Sequence, residues 1–280
     1  MNRSIFLIIL FLFFSSCVKD SNKESKVKEK SLDLQVQEAY QEGLKALDSK
    51  DALFAARKFN EVEILYPQSI YAPKSLLMAA YSYYIDDYYM DCIEELERFL
   101  RVYPKDKNLD YAYYLLAISY YEQIVDEKKD LFSILQAKEY FEYIISNFPN
   151  TEYAYDSSFK LELIDDILAA KEMYLGRYYI DKKKWIPAIN RFKNVVNDYG
   201  TTIYIEEALY RLVEVYYLLG LKDESKKYAS LLGYNYESSE WYENSYALFD
   251  KKYEINKQKK NKGKNKNIIQ KIMSIMNFNE

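Results

Sequence analysis

The sequence predicts an all-α fold, a right-handed solenoid of about five stacked helix pairs. Three observations carry this. Apolar stripes recur in pairs at helical spacing, an aromatic residue followed by Pro or Gly interrupts them at intervals, and no segment alternates with the period of a strand. Six glycines and five prolines in 280 residues are too few for the many tight turns of an all-β chain. By length the chain is one large domain or two ordinary ones.

Four segments follow from the N-terminus: 1–16, 17–33, 34–250 and 251–280. In the first, Arg3 supplies a positive start and Ile5 to Phe14 form ten consecutive apolar residues. At 1.5 Å per residue that run spans roughly 15 Å, about half a bilayer core, so it reads as the apolar part of a signal peptide and not as a membrane span. Ser15, Ser16 and Cys17 then resemble a bacterial lipobox, in which cleavage before the cysteine leaves it as the lipid-bearing first residue. Phe14 stands where most lipoboxes have Leu. The alternative is an ordinary signal peptide followed by an incidental cysteine. Acyl chains on Cys17 would anchor the protein to a membrane without a spanning helix. From Val18 to Asp33 there are five lysines and four acids with no apolar period, the composition of a flexible tether.

The body carries a repeated break. Tyr66-Pro67-Gln68-Ser69-Ile70-Tyr71-Ala72 is the first copy, and Tyr103-Pro104 with Tyr111-Ala112 the second. Phe148-Pro149-Asn150-Thr151-Glu152-Tyr153-Ala154 is the third, Tyr199-Gly200-Thr201-Thr202-Ile203-Tyr204 the fourth, and Asn235-Tyr236-Glu237-Ser238 a decayed fifth. Pro or Gly ends one helix, Ser or Thr can cap the next, and Pro73 suits a first helical turn.

Between the breaks each pair shows two stripes. First helices carry Leu76/Ala79/Ala80/Tyr83, Tyr113/Leu116/Ala117/Tyr120, Leu175/Gly176/Tyr179 and Leu209/Leu212/Val213/Tyr216. Second helices carry Ala55/Phe59/Val62, Cys92/Leu96/Phe99, Ala137/Phe141/Ile144, Ala188/Phe192/Val195 and Ser225/Ala229/Leu232. Each set lies on one helix face. A small residue lets the pair approach closely, and a large apolar residue one turn on fills the space beyond it. This is the tetratricopeptide (TPR) pattern. The breaks at 66, 103, 148, 199 and 236 are 37, 45, 51 and 37 residues apart. The excess in the third repeat is a loop near Val125 to Leu131. The excess before the fourth is a long helix, roughly Tyr153 to Ile180. One such repeat cannot bury its own apolar face, so the repeats stack. The seventh-step tyrosines, Tyr83, Tyr120, Tyr179 and Tyr216, are therefore expected in the core, as is Cys92.

Composition removes most chemistry. Without a histidine there is no Ser-His-Asp or Cys-His catalysis and no histidine-ligated zinc. Two cysteines, Cys17 and Cys92, cannot make a Cys₄ site. Adjacent acids such as Asp86/Asp87 and Asp165/Asp166 point to different helix faces, and the scattered glycines make no phosphate loop. Neither enzyme, metal nor cofactor is expected. A net charge of −4 and a pI near 5.3 do not suggest a nucleic-acid partner. What stands out is tyrosine, 32 residues, all between Tyr40 and Tyr253.

In TPR solenoids the concave face is lined by first-helix residues one step off the core stripe. Here the first three repeats place Tyr40, Leu44, Tyr81, Tyr84, Tyr111, Tyr114 and Tyr121 there. The last two place Arg177, Glu207, Tyr210, Glu214 and Tyr217. The groove thus reads as aromatic at one end and more charged at the other. Tyrosine offers large contact area, few rotors and a polar tip, which suits capture of an extended apolar segment. The alternative is that these rings pack against the tether or the solenoid's own ends.

The order lipobox, tether, five TPRs resembles the BamD (ComL) family, lipoproteins of the machinery that assembles β-barrels into the bacterial outer membrane. The likeness is carried by Ala80-Tyr81-Ser82-Tyr83-Tyr84, Glu97-Arg98-Phe99-Leu100-Arg101-Val102-Tyr103-Pro104, Asp110-Tyr111-Ala112-Tyr113-Tyr114-Leu115, Ala188-Ile189-Asn190-Arg191-Phe192 and Leu218-Leu219-Gly220-Leu221. Gly200 for Pro, the degenerate fifth repeat and a lysine-rich tail depart from the pattern. The resemblance implies an N-terminal groove for unfolded barrel proteins and a C-terminal surface, matched at Asn190 and Arg191, that docks on the periplasmic domains of the barrel-forming partner BamA. It also implies an outer-membrane location facing the periplasm. Taken alone, Arg191 is also what a solvated helix face carries. A scaffold that organises cell-wall or division proteins is the competing function.

The last segment holds nine lysines and one Glu between Lys251 and Lys271, then Ile268, Ile269, Ile272, Met273 and Met276 on one side of a short helix. It reads as a partner-binding or anionic-surface segment, or as a frayed tail.

Overall fold

The computed structural model describes residues 31–124, 130–237 and 239–250. Among these, eleven α-helices follow one another: α1 (Leu32–Asp48), α2 (Ala52–Leu65), α3 (Ala72–Tyr84), α4 (Tyr89–Val102), α5 (Leu109–Tyr121), α6 (Phe132–Asn147), α7 (Glu152–Asp181), α8 (Trp185–Asp198), α9 (Ile205–Leu218), α10 (Lys222–Asn235) and α11 (Glu240–Phe249). Helices α1 to α10 form five consecutive pairs, and α11 lies against α9 and α10. This is an all-α TPR solenoid. The signal segment, Cys17, most of the tether, residues 125–129 of the third-repeat loop and the tail from 251 lie outside the described residues.

Two kinds of turn alternate. Within a pair, one residue takes a left-handed backbone: Lys50 (φ 62°), Asp87 (φ 62°), Lys183 (φ 55°) and Gly220 (φ 77°). Each sits in the same two hydrogen bonds. In the first pair Lys50 N donates to Leu47 O at 2.9 Å and Asp51 N to Ala46 O at 2.9 Å. Tyr88, Lys184 and Leu221 N donate in the same way to Tyr83, Tyr179 and Tyr216 O. This Schellman closure satisfies the last carbonyls of the first helix and reverses the chain at once. Of these four turns only that of the fifth pair uses glycine, so three non-glycine residues hold a conformation that sterics disfavour.

Between pairs, an aromatic residue ends the second helix. Tyr66, Tyr103, Phe148, Tyr199 and Tyr236 each donate their N–H to the carbonyl four residues back, and each accepts at its own carbonyl from the N–H three residues on. Gly200 changes nothing here, since Thr202 N still reaches Tyr199 O at 3.1 Å. Thr151 caps α7 by accepting from Ala154 N at 3.2 Å, and Ser69 Oγ accepts from Ala72 N at 3.1 Å at the head of α3. Pro73 lies in the first turn of α3. The Thr151 and Thr202 hydroxyls also donate backward in the same way, to Phe148 O and Tyr199 O, each at 2.8 Å.

The five second-helix stripes are buried throughout except for Ala229, which is half-buried. Phe59, Phe99, Phe141 and Phe192 are wholly enclosed, each worth about 1.5–3 kcal/mol relative to exposure. Cys92 takes its small-residue slot, with Sγ 3.3 Å from Ser119 Oγ. Of the seventh-step tyrosines, Tyr120 and Tyr216 are buried. Tyr83 and Tyr179 are only half-buried, which corrects the expectation of four core wedges. Their rings lie at the surface end of the stripe, next to the turn whose carbonyl they supply.

The long helix α7 has 30 residues, about 45 Å. Its first half, through Ala154, Ile164 and Leu168, packs in the core of the second and third repeats. From Ala169 and Met173 it packs in the core of the fourth and fifth. One continuous helix thus ties the two halves of the solenoid together. No helix among the described residues is long and apolar enough to cross a membrane.

Candidate functional site

First helices α3, α5 and α7 touch in succession, and they bring the predicted aromatic positions together. Helix α3 supplies Tyr81 and Tyr84. Helix α5 supplies Tyr111, Tyr114 and Tyr121, three and seven residues apart and so on one side of the helix. Helix α7 adds Tyr153, Asp156 and Lys160. Tyr153 bridges the set, with its ring centroid 5.7 Å from Tyr111 and 5.0 Å from Tyr114. Tyr114 donates its hydroxyl to Asp156 Oδ2 at 2.7 Å. Lys160 Nζ stands 4.7 Å from the centroid of Tyr121. Tyr81 is exposed and the other four predicted tyrosines are half-buried.

Burial pushes the Tyr111 phenol far above its ordinary value, with the neighbouring Tyr81 and Tyr153 adding to the effect. Burial and then the hydrogen bond to Asp156 do the same to Tyr114. These hydroxyls stay protonated across physiological pH. The wall therefore offers ring faces, neutral donors and one cation at its edge. Such a surface is chemically suited to apolar side chains, with polar groups at its edge.

Sequence reasoning did not name Tyr153, Asp156 or Lys160 for the wall. A signal existed for Tyr153, since it holds the Tyr-Ala place of the third break, as Tyr111 does in the second. Asp156 and Lys160 follow it at one and two turns.

Tyr40 does not line this surface. It is buried at 5% exposure, edge-on to Phe59 at 5.5 Å and beside Tyr71 at 5.5 Å, with Lys74 Nζ 5.4 Å from its ring centre. Tyr71, just ahead of α3, and Lys74 in its first turn fold over that side. Leu44 is half-buried against the same cluster.

The corresponding face of the last two repeats is filled by its own side chains. Arg177 of α7 grips Glu207 of α9 with a fork, Nε to Oε1 at 2.9 Å and Nη2 to Oε2 at 2.6 Å. Arg211 joins Glu207 at 3.2 Å and Glu214 at 2.9 Å. Helix α11 then lies over the remaining rings, with Trp241 5.3 Å from Tyr210 and Phe249 edge-on to Tyr217 at 5.6 Å.

Asn190 and Arg191 lie on α8, away from the aromatic wall. Asn190 is exposed. Arg191 reaches back to Glu172 of α7 at 2.9 Å, and Asn194 Nδ2 donates to the same carboxylate at 2.9 Å.

A family model for YfiO, an outer membrane lipoprotein, matches residues 32–232. That stretch takes in α1 through α9 and most of α10, including both the aromatic wall and Asn190-Arg191. A relative from Rickettsia prowazekii (strain Madrid E), named outer membrane protein assembly factor BamD, is 41% identical over 242 residues, 86% of this chain and 94% of that one. This chain belongs to the BamD family. A relative of the same name from Caulobacter vibrioides is 36% identical over 88% of this chain and 80% of that one. The BamD of Neisseria gonorrhoeae is 29% identical over 75% and 82%. The family-model match ends at residue 232, before α11.

Proposed function

We propose that this chain is a non-enzymatic lipoprotein scaffold of the β-barrel assembly complex. Cys17 carries the lipid that holds it at the outer membrane, facing the periplasm. The wall built by Tyr81, Tyr84, Tyr111, Tyr114 and Tyr121, extended by Tyr153, receives extended segments of unfolded outer-membrane proteins. Leu44 flanks it. The α8 face at Asn190 and Arg191 docks on the periplasmic domains of BamA. The observation that carries this reading is the continuous aromatic wall across three first helices in a chain of the BamD family. The two halves have different resources: ring faces with neutral hydroxyls in one, a rigid ion-paired surface in the other. Helix α7 spans both, so a segment held at one end is kept at a fixed distance from a partner held at the other.

Affinity capture of the full-length lipoprotein from membranes tests this. Recovery of BamA, with a fall in outer-membrane β-barrel proteins on depletion, supports it. Recovery of wall enzymes alone, with barrel levels unchanged, overturns it in favour of a cell-wall or division scaffold. Asn190→Arg probes the docking face cleanly, because it leaves the Arg191–Glu172 pair in place.

A further inference from the structure

The C-terminal end of the solenoid is half a repeat. Helix α11 occupies the place of a sixth first helix, yet among its ten residues only Ser245 is fully buried. Elsewhere the partner helix completes the pair and lies beside the preceding second helix, as α4 does when Arg98 reaches Glu63 of α2 at 2.7 Å. Between α10 and α11 there is instead a groove of about 390 Å³, walled by Ala229, Ser230, Gly233, Tyr242, Ser245 and Phe249. A Cβ on Gly233 would stand 2.8 Å from Tyr242, so this glycine is what lets α11 close down on α10 at the groove floor. Its mouth carries apolar surface from Ala229, Tyr242 and Phe249, the last 37% exposed, with the stem of Lys226 beside them. A solenoid end of this kind needs a cap.

We propose that the chain's own tail supplies it: residues 268–276 fold back as an amphipathic helix into the α10–α11 groove and complete the sixth pair. Ile269, Met273 and Met276 repeat the i, i+4, i+7 spacing of the five second helices, and Ile268 and Ile272 widen the stripe. The tail begins where the groove ends, two residues beyond Phe249. The 18 residues from 250 to 267 give a flexible chain a typical reach of about 24 Å, close to the roughly 21 Å length of α10. A tether of that length makes docking intramolecular at an effective concentration of order millimolar.

Charge favours the same occupant. Residues 236–250 carry Glu237, Glu240, Glu243 and Asp250 and no Lys or Arg. Residues 251–267 carry eight lysines against the single Glu254. The basic linker is thus drawn along the acidic stretch 236–250, on the α11 side of a groove whose α10 wall carries Lys226, and this delivers the apolar stripe to the groove.

Hydrogen exchange on the full mature chain, dilute and free of vesicles, tests the proposal. Amides of 268–276 are expected to exchange about 10-fold slower than an unstructured chain, and Ile272→Asp to release both them and α10–α11 while α3–α6 keep their protection. Truncation after Tyr253 should expose α10–α11 alike. A Ser230→Cys, Met273→Cys pair should oxidise within the monomer. An unprotected tail overturns the proposal. So does a cross-link found only in dimers, which would make a second copy the occupant. Protection that appears only with anionic phospholipid vesicles also overturns it, assigning the tail to a membrane surface.

Discussion

The ring of Phe192 lies directly against the backbone of Gly176. A Cβ built on that glycine would stand 2.4 Å from Phe192 Cε1, and the same relation recurs in the first repeat, where Gly43 meets the Phe59 ring at 2.7 Å. The close approach of α7 to α8, and of α1 to α2, depends on a first-helix glycine. The small residues of the second helices, Ala188 and Ala55, serve the same approach from the other side.

Gly176→Ala should therefore destabilise the protein although alanine is the better helix former by about 1 kcal/mol. The clash is with a wholly buried ring, and overpacking of that kind costs about 1–3 kcal/mol. Denaturant unfolding followed by circular dichroism is expected to show a net loss of up to about 2 kcal/mol. Adding Phe192→Leu should recover part of it, and no recovery would place the strain elsewhere.

Glu207 is a pH-dependent tie between the fourth and fifth repeats. Burial alone would raise its carboxyl, but the hydrogen bond and charge of Arg177, then those of Arg211, outweigh burial and hold it below the ordinary value of 4.5. A carboxyl so lowered contributes its full stability above the unfolded value and loses it as pH falls through the folded one. Glu207→Gln is expected to cost about 1 kcal/mol at pH 7, modest because the Arg177 partner is 42% exposed and screened. The gap between variant and wild type should narrow as pH drops below 4.5. A gap independent of pH would mean that the carboxylate's charge is immaterial.

Cys92 should be inert in the folded protein. Burial pushes its thiol up to about 12, against a smaller opposing effect of the Ser119 hydroxyl. In a chain that begins after Cys17, so that Cys92 is its one thiol, a thiol reagent at pH 8 should titrate no group in the native state and one after denaturation. Rapid native labelling would show that the second repeat opens readily.

On the aromatic wall, Tyr81→Ala should leave stability within about 0.5 kcal/mol, since the ring is exposed. Combining it with Tyr84→Ala and Tyr114→Ala is expected to lower photo-crosslinking to an extended apolar peptide about tenfold, roughly 1.4 kcal/mol. Tyr114→Phe keeps the ring while deleting the 2.7 Å bond to Asp156, so it separates ring contact from hydroxyl geometry. Unchanged crosslinking in the folded triple variant would remove the groove from the mechanism.

Much of this molecule was legible in its sequence because helical periodicity is local. Spacings of three, four and seven residues sufficed to name the second-helix stripes and to place a long helix at Tyr153 to Ile180, found as Glu152–Asp181. The repeated aromatic break located the ends of all five second helices for the same reason, since a helix stops where its own backbone loses partners. What a sequence stripe does not specify is which neighbour covers it. Tyr40 and Tyr81 hold similar positions in their helices, yet Tyr71 and Lys74 enclose one while the other stays open. Arg177, Glu207 and Arg211 are 30 and four residues apart in the chain, and only the stacking of α7 on α9 makes them one network. Asp156 and Lys160 likewise acquire a role only when α7 lies beside α5. The helices and their apolar faces were determined by the sequence alone. Exposure, ion pairing and the composition of the groove were decided by tertiary packing, because each depends on a surface contributed by another helix.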